Sequence, residues 1–568
     1  MLPVLPKVTR LKQRIITAFG GIDRRDNAKE NGFSVITGAD NKGGIIETYG
    51  SFYKSEMGYD FSSDDIIVLS NDNDGADYYY LGEGGFYKNG SLLPFNMSEH
   101  TYSGRSWVLN YVDDIGESND GKFCWTGNYQ NTSLLRYGEY IFAVPQMIMT
   151  DGEKTYKWDR TEAVSINNNY VTVSYGELTL SANESWRKQH FDGFKEGDII
   201  ELFNNGSKVD GIITVLSNKN GTITLKGTTE EGAKLSSSAF NVSGNMSFFV
   251  MRHKDVPHFT DADVIYNRMW GVSENRIYAS KLAHPFAFKE TDGASADAWW
   301  ADTEDANNFT AITSLNGRVV AFKNTSSYEI YGTVAPYTVK DVSRSLGCID
   351  KHSLGEVNGV LFLLTSEGMQ VYGGSKFVNI NDEPEFSVKN ACGKGHGSKY
   401  YAIIGEKVYK YDYYSGFWTC VTDCGFVRLI EISGEIFGLK ADGTLVQFTG
   451  EQLSFIDYDG TVNPEWCIES VTVGGGDFYA EGINRLEFRF EGSAGGRLAV
   501  AVSRDNGNFE SYADITVTKN GWQIFSVPIY MKPCSVFKYR IEGSGKLRLR
   551  LVKYCYRKGG EANSYEHT

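Results

Sequence analysis

A hairpin recurs along this chain, and its recurrence limits the fold more than any other feature. Each copy has a short apolar strand, a turn of Gly, Asn or Asp, and a second strand rich in Tyr or Phe. Two copies lie early, GADYYYLGEGGFYKNG (75–90) and GEYIFAVPQMIMTDGEKTYKW (138–158). Five follow: YNRMWGVSENRIYASKL (266–282), GRVVAFKNTSSYEIYG (317–332), NGVLFLLTSEGMQVYGG (358–374), KYYAIIGEKVYKYDYYSGFW (399–418) and SGEIFGLKADGTLVQFTG (433–450). These five start 51, 41, 41 and 34 residues apart. A lone hairpin cannot bury its apolar face, so repeats of about 40–50 residues stack blade on blade and close into a ring with few exposed edges. The spacing predicts an all-β chain built on a β-propeller of six or seven blades. Asp151-Gly152 and Asp442-Gly443 supply hairpin turns. Polar and apolar residues alternate through Lys407-Val408-Tyr409-Lys410-Tyr411, as in a half-buried strand. Closure of the ring is expected from strands near the N-terminus and just before the C-terminal domain.

Two stretches interrupt the period. Between the copies starting at 138 and 266, residues 162–255 carry short strands around tight turns such as Asn204-Asn205-Gly206 and Asn220-Gly221. Removing those 94 residues from the 128-residue interval leaves 34, about one blade. This predicts a small β-barrel-like domain inserted at a surface hairpin, where insertion is topologically cheap. After 460 the strands lengthen (INRLEFRF, LAVAVSRD, WQIFSVPIY, KLRLRLVKYCY), which fits a C-terminal antiparallel β-sandwich. The expected organisation is an extended arm at 1–30, blades over 31–161, the barrel over 162–255, blades over 256–459, the sandwich over 460–556 and a polar tail over 557–568.

Composition narrows the function. The chain has 568 residues, with 56 Lys and Arg against 71 Asp and Glu, a net charge of −15. That argues against a general nucleic-acid binder relying on overall positive charge, though not against a local basic face. No run of about 18 apolar residues exists to cross a membrane as a helix, and Pro3 and Pro6 break the opening MLPVLPKVTRLKQR. Eight cysteines at 124, 348, 392, 420, 424, 467, 534 and 555 form no CxxC pair, which predicts reduced, buried thiols in a protein assembled in a cytosol.

Searches for chemistry return candidates rather than a constellation. Cys392-Gly-Lys-Gly-His-Gly397 precedes a strand, not the helix whose amides would cradle phosphate, and reads as a turn. Ser70-Asn-Asp72-Asn-Asp74-Gly75 looks partly like a calcium loop but lacks Asp at its first position and Glu at its twelfth; a weak Ca²⁺ site near Asp72 and Asp74 stays open. Ser503-Arg-Asp505-Asn-Gly507-Asn-Phe509 resembles an Asp-box turn, a structural device, and occurs once. His253 and His258 have no third ligand nearby. Trp299 and Trp300 stand beside Asp302, Glu304 and Asp305. That cluster could be a sugar platform with paired carboxylates for glycoside hydrolysis, or an inter-blade plug. Two basic stretches complete the set. One is the arm, with Arg10, Lys12 and Arg14. The other is 538–558, with eight Lys or Arg against Glu542 and with Arg548 and Arg550 alternating with leucines. Both are candidates for docking another subunit, an acidic partner or a DNA backbone. No cofactor and no catalytic residue is expected.

VIYNRMWGVSENRIYASKLAHPFAF (264–288), an Asn-Arg-aromatic strand, a turn, an Ile-Tyr-Ala-Ser strand and a loop with His284-Pro285-Phe286, resembles a segment recurring in tailed-bacteriophage structural proteins. Phe19-Gly20-Gly21-Ile22 is similar to their opening arm, and the layout is similar to the tail stabilisation or nozzle proteins of short-tailed phages. The resemblance implies a non-enzymatic virion protein, assembled in the bacterial cytoplasm as a homo-oligomeric ring, taken as a hexamer. Its implied partners are portal-adaptor proteins, tail spikes or fibres, and DNA passing through the channel. Two other classes stay open: a receptor-binding or tail-fibre protein holding host glycan through Trp299 and Trp300, and a propeller glycosidase using Asp302, Glu304 or Asp305.

Overall fold

A computed structural model of the chain describes residues 12–558. It omits 24–28, 30–31, 43, 49–52, 55–64, 71–75, 96–99, 103–104, 108–114, 118–122, 126, 159, 168–170, 175, 182–193, 195, 205–206, 220–221, 230–231, 241–246, 254–255, 290–295, 381–390, 406, 423–424, 433, 441–444, 450–464, 475–480, 530 and 532–533. Two compact units result, Ser62–Lys323 with Tyr328–Asp341, and Met1–Phe61 with Asn324–Ser327 and Val342–Thr568. The fold is all-β: a β-propeller carrying a small barrel-like insert and a C-terminal antiparallel sandwich. The described residues form seven four-stranded antiparallel blades, and each of the seven hairpin copies supplies one.

The first of the two units holds the first four blades. Their opening strands are Ile66–Ser70, Ser133–Tyr137, Asp261–Ile265 and Phe309–Leu315. Turn chemistry sets the hairpins. Asn89-Gly90 and Asn316-Gly317 both take positive φ at the two central residues (50° and 78°, 48° and 75°), the conformation whose twist matches flanking strands. Apolar middle strands such as Arg318–Lys323, buried over five of six positions, pack between neighbours. At 151–152 the Asp151 carboxylate accepts the amides of Glu153 and Lys154 at 2.9 and 2.8 Å, which locks the turn.

Carboxylates join blade to blade. Asp65 Oδ2 accepts the Leu134 amide of the second blade at 2.9 Å, and Asp261 Oδ2 in the third accepts the Ile312 amide of the fourth at 2.9 Å. In the other unit Asp350 Oδ2 accepts the Ala391 amide at 3.1 Å, and Cys392 Sγ accepts the Leu429 amide at 3.2 Å. Each contact satisfies a backbone donor at a seam where no ladder partner is available.

The insert is an eight-stranded sheet that begins at Arg160–Asn167 and ends at Ser247–His253, which pair with each other. Thr222–Thr228 alternates buried and half-buried residues without a break, as a strand curled around one core requires. That core holds Leu178, Leu180, Leu202, Ile213, Ile223, Leu225 and Val250.

The second unit holds three blades and the sandwich. Gly355–Val357 opens the fifth blade, Ala391–His396 the sixth and Phe426–Ile432 the seventh. The seventh blade contributes three strands of its own, and its fourth is Tyr53–Lys54, laid antiparallel on Leu445–Gln447. The sandwich faces a six-stranded sheet with a ten-stranded one that also contains the sixth blade. Leu486, Phe488 and Phe490 alternate inward with outward Arg485, Arg489 and their carboxylate neighbours.

Residues near the N-terminus depart from the sequence reading. Lys12–Ile16 is a strand paired with Leu547–Lys558, not a free extended arm. Phe33–Thr37 lies between Phe417–Thr422 of the sixth blade and Glu465–Ser470, and Ile45–Thr48 pairs with Leu547–Lys558, so 33–48 link the sixth blade to the sandwich rather than forming a blade of their own. Inside this region Asp40 ion-pairs with Lys410 of the sixth blade, both buried. Burial holds Lys410 down at about 8, against the opposing pull of Asp40. Gly21 backs onto the sixth blade; a Cβ there would sit 2.7 Å from the Trp418 carbonyl, so only glycine fits.

The seam contacts are open to test. Asp261→Ala strands the buried Ile312 amide and is expected to cost about 1–3 kcal/mol in denaturant unfolding of the full chain. Asp261→Asn keeps a carbonyl acceptor and loses less. Equal losses in both variants would show that the hydrogen bond is not what joins the blades.

Candidate functional site

The third blade carries the aromatic and acidic cluster singled out in the sequence. Its outer strand, Trp299–Asp302, pairs with Arg276–Ala279, and alternation sends Trp299 and Trp300 to opposite faces. Trp299 goes inward. Its ring lies 6.0 Å from Trp270 and 5.3 Å from Tyr337, in a trio completed by a 4.8 Å Trp270–Tyr337 contact. Buried Arg268 sits beside the trio, donating to the carbonyls of Ser280 and Asp297 at 2.6 and 2.7 Å. Trp300 goes outward and is 41% exposed, which leaves it alone of the pair able to meet a ligand.

Two of the three carboxylates are committed to cations. Arg276, directly across the ladder, grips Asp302 with two hydrogen bonds of 2.5 and 2.7 Å and lies 5.9 Å over the Tyr278 ring. That grip holds the Asp302 carboxyl below the usual carboxylate range. A general acid must stay protonated near neutral pH, so Asp302 is unsuited to that role. Asp305 accepts from Tyr328 at 3.2 Å and from the Asn307 amide at 2.7 Å, and ion-pairs at 3.3 Å with Lys323. The Lys323 side chain is fully buried between the Phe309 and Tyr328 rings. Glu304 is exposed. The arrangement braces the loop and presents one tryptophan.

A second carboxylate pair lies in the same blade, missed in the sequence because Asp-Ala-Asp in a strand carries no motif. Asp261 holds the seam, while Asp263 accepts the Val264 amide at 2.7 Å. Burial, reinforced by the Asp261 charge, lifts the Asp263 carboxyl to about 6.

The basic stretches divide. Arg10 lies outside the described residues. Lys12 stands opposite Tyr556 in the ladder and Arg14, exposed, opposite Tyr554. The 538–558 stretch does not form one patch, because its two strands lie in different sheets. Lys538 and Arg540 pair with Glu469 at 3.7 and 2.9 Å. Arg548 pairs with Glu491 at 3.1 Å and Glu47 at 3.8 Å, and Lys553 with Glu487 at 2.9 Å. Arg550 instead lies 5.7 Å from the Trp522 ring. Counting charges along one strand cannot see the glutamates that its neighbours bring across.

The remaining candidates fall as follows. Asp72 and Asp74 lie outside the described residues. Among the described residues no three His, Cys, Asp or Glu side chains converge on a metal-sized site. Residues 392–397 run from a strand into a hairpin turn. Asp505 Oδ1 accepts the amides of Ser535 and Val536 at 2.7 and 3.3 Å, a structural clamp.

The 264–288 segment forms the central hairpin of the third blade and packs against the second. Asn267, at φ 56°, accepts the Tyr137 hydroxyl through its carbonyl at 2.8 Å. Ser280 Oγ accepts the Met269 amide at 2.9 Å. The Pro285 carbonyl accepts Trp158 Nε1 at 3.2 Å, and Phe286 packs on Tyr140 and Phe142 of the second blade.

The site and seams define a propeller scaffold with an insert and a sandwich. No family model matches the sequence, and no curated protein matches it. Solved structures with some likeness include BamB from Moraxella catarrhalis, at 8% identity over 72% of this chain and 98% of that one, TM-score 0.30. TmCBM61 in complex with β-1,4-galactotriose is 18% identical over 16% of this chain and 65% of the module, TM-score 0.13. The enzymatically active domain of tailspike protein 4 from bacteriophage CBA120 is 12% identical over 20% of this chain and 15% of that one, TM-score 0.14. The fold assignment rests on the strand pairing described above.

Asp263 yields a pH test. The folded state favours its protonated form, so between about 4 and 6 the native chain binds the extra proton. Stability from this group is complete below about 4 and falls by on the order of 2–3 kcal/mol as pH rises through 6. The expected result is a wild-type minus Asp263→Asn difference in urea midpoint that declines across that window. A flat difference would mean the carboxyl is not perturbed.

Proposed function

We propose that this chain is a non-catalytic structural component of a bacteriophage tail. It would form a ring-like nozzle or hub that extends the DNA channel below the portal and adaptor and carries receptor-binding spikes or fibres. The observation that carries the reading is the role of 264–288. Every polar residue in this phage-like segment whose contacts are described above serves a neighbouring backbone or side chain of the propeller. The segment resembling virion proteins is thus scaffold, and the acidic cluster beside it is braced by Arg276 and Lys323 rather than open to a substrate. A scaffold of paired strands suits a conduit that must hold its shape as DNA passes. In this reading the protein resides in the virion after assembly in the bacterial cytoplasm, and binds other copies of itself, the adaptor and the spikes.

A second reading keeps one observation of its own. Trp300 is exposed on an outer blade strand, where an indole face could stack on a sugar of the host surface.

Light scattering of the purified chain, alone and with its adaptor ring, separates them. A closed oligomer, formed alone or on the adaptor, is the expected result. A monomer in both conditions would overturn the ring. Saturable glycan-array binding lost in Trp300→Ala would then favour the appendage.

A further inference from the structure

The six-stranded sheet of the sandwich turns one face to solvent, and the register of its strands gives that face in rows. Leu547–Lys558 lies beside Glu481–Gly492, which lies beside Gly521–Pro528. One row runs Glu47, Arg548, Glu491, Trp522. Another runs Ile15, Lys553, Glu487, Ser526. In both, the cation meets a glutamate within the row.

The row between them is different. Arg489 opposes Leu551 but Phe490 opposes Leu549, so the register slips and Arg550 is the extra residue of a bulge. A bulge re-aims a side chain that regular pleating would place elsewhere. Arg550 and Arg489 both converge on Trp522, 5.7 and 5.8 Å from its ring centroid. Among the described residues neither has a carboxylate within ion-pair distance, unlike Arg548 and Lys553 beside them. Trp522 is 44% exposed, and Ile524, across from Arg489, is 73% exposed. The fold therefore holds an indole, a bare aliphatic side chain and two unneutralised guanidiniums together on one surface.

Exposed Trp and Arg side by side are the composition of a protein-docking hot spot. A glycan or a nucleic acid could use the indole and the cations, but neither makes use of an isoleucine left bare beside them. The partner must bring carboxylates and an apolar group. A chain of net charge −15 offers acidic surface in abundance to its own copies.

We propose that the Arg489–Trp522–Ile524–Arg550 face docks on an acidic surface of a second copy of this chain. The contact is heterologous, one surface meeting a different one on the next copy, which is the kind that closes rings. The inference rests on the ring reading above and names its interface.

The test is sedimentation of the full-length chain, alone and with the adaptor, for wild type, Trp522→Ala, Arg489→Glu with Arg550→Glu, and Tyr414→Ala as an exposed control on another turn. All substituted side chains are at the surface, and thermal melts matching wild type check that the variants fold. Assembly is expected to weaken about tenfold or more in Trp522→Ala and in the double variant, with Tyr414→Ala unchanged. Rising salt is expected to weaken the wild type but not the double variant. Wild-type assembly that survives both changes would overturn this interface and leave the ring reading standing. A wild type that stays monomeric would overturn both. A monomer whose binding to acidic glycans is lost in Trp522→Ala would reassign the face to carbohydrate.

Discussion

The short antiparallel pairing of Tyr53–Lys54 with Leu445–Gln447 is the constraint on which the rest depends. The seventh blade has only three strands of its own, which would leave the outer edge of Leu445–Gln447 unpaired. Here the missing strand comes from the start of the chain, almost 400 residues earlier in sequence. Once the N-terminal region must reach the seventh blade, its flanking residues are drawn into the same unit. Gly21 backs onto the sixth blade, Phe33–Thr37 joins the ten-stranded sheet and Lys12–Ile16 adds to the last strand of the sandwich. The buried Asp40–Lys410 pair, with Lys399 3.8 Å from the same carboxylate, pins this region to the sixth blade. Pairings of such sequence separation form late, so this unit completes only after the whole chain is made.

Side-chain hydrogen bonds repeat the same logic on a smaller scale. The ladder satisfies backbone groups within a blade, but the first strand of the next blade has donors facing a neighbour rather than a partner strand. Asp65, Asp261 and Asp350 answer that need with carboxylates, and Cys392 with a thiol. In the 264–288 segment the Asn267 and Pro285 carbonyls accept side-chain donors from Tyr137 and Trp158 of the second blade, while Arg268 and Ser280 brace the backbone of their own blade. The described polar contacts of that segment therefore hold the third blade together and tie it to the second.

What the sequence made legible follows from which interactions are local. The seven hairpins were readable because turn residues and the alternation of buried positions lie within about 20 residues of each other. The insert was readable as the one interval too long for a blade. The strands at 33–48 are not, because Asp40 and Asn41 in a four-residue strand give no alternation, and the ladder partner of Phe33–Thr37 and the ion-pair partner of Asp40 lie hundreds of residues away. The seam aspartates are indistinguishable in sequence from surface ones. Trp299 and Trp300, adjacent in sequence, read together as either a sugar platform or an inter-blade plug, but a strand sends neighbours to opposite faces, so one packs inward and one is at the surface.

Charge shows the same division most sharply. The basic run at 538–558 looked like a patch because a strand read alone displays its own side chains and none of its neighbours'. In the sheets, Glu469 answers Lys538 and Arg540, Glu491 and Glu47 answer Arg548, and Glu487 answers Lys553. Cross-strand pairing of opposite charges is ordinary sheet stabilisation, worth a few tenths to about 1 kcal/mol each. Such pairing therefore says little about function where it is complete. The informative cations are those that the same sheet leaves without a glutamate, and a register slip beside a bare tryptophan is where this sheet leaves two of them.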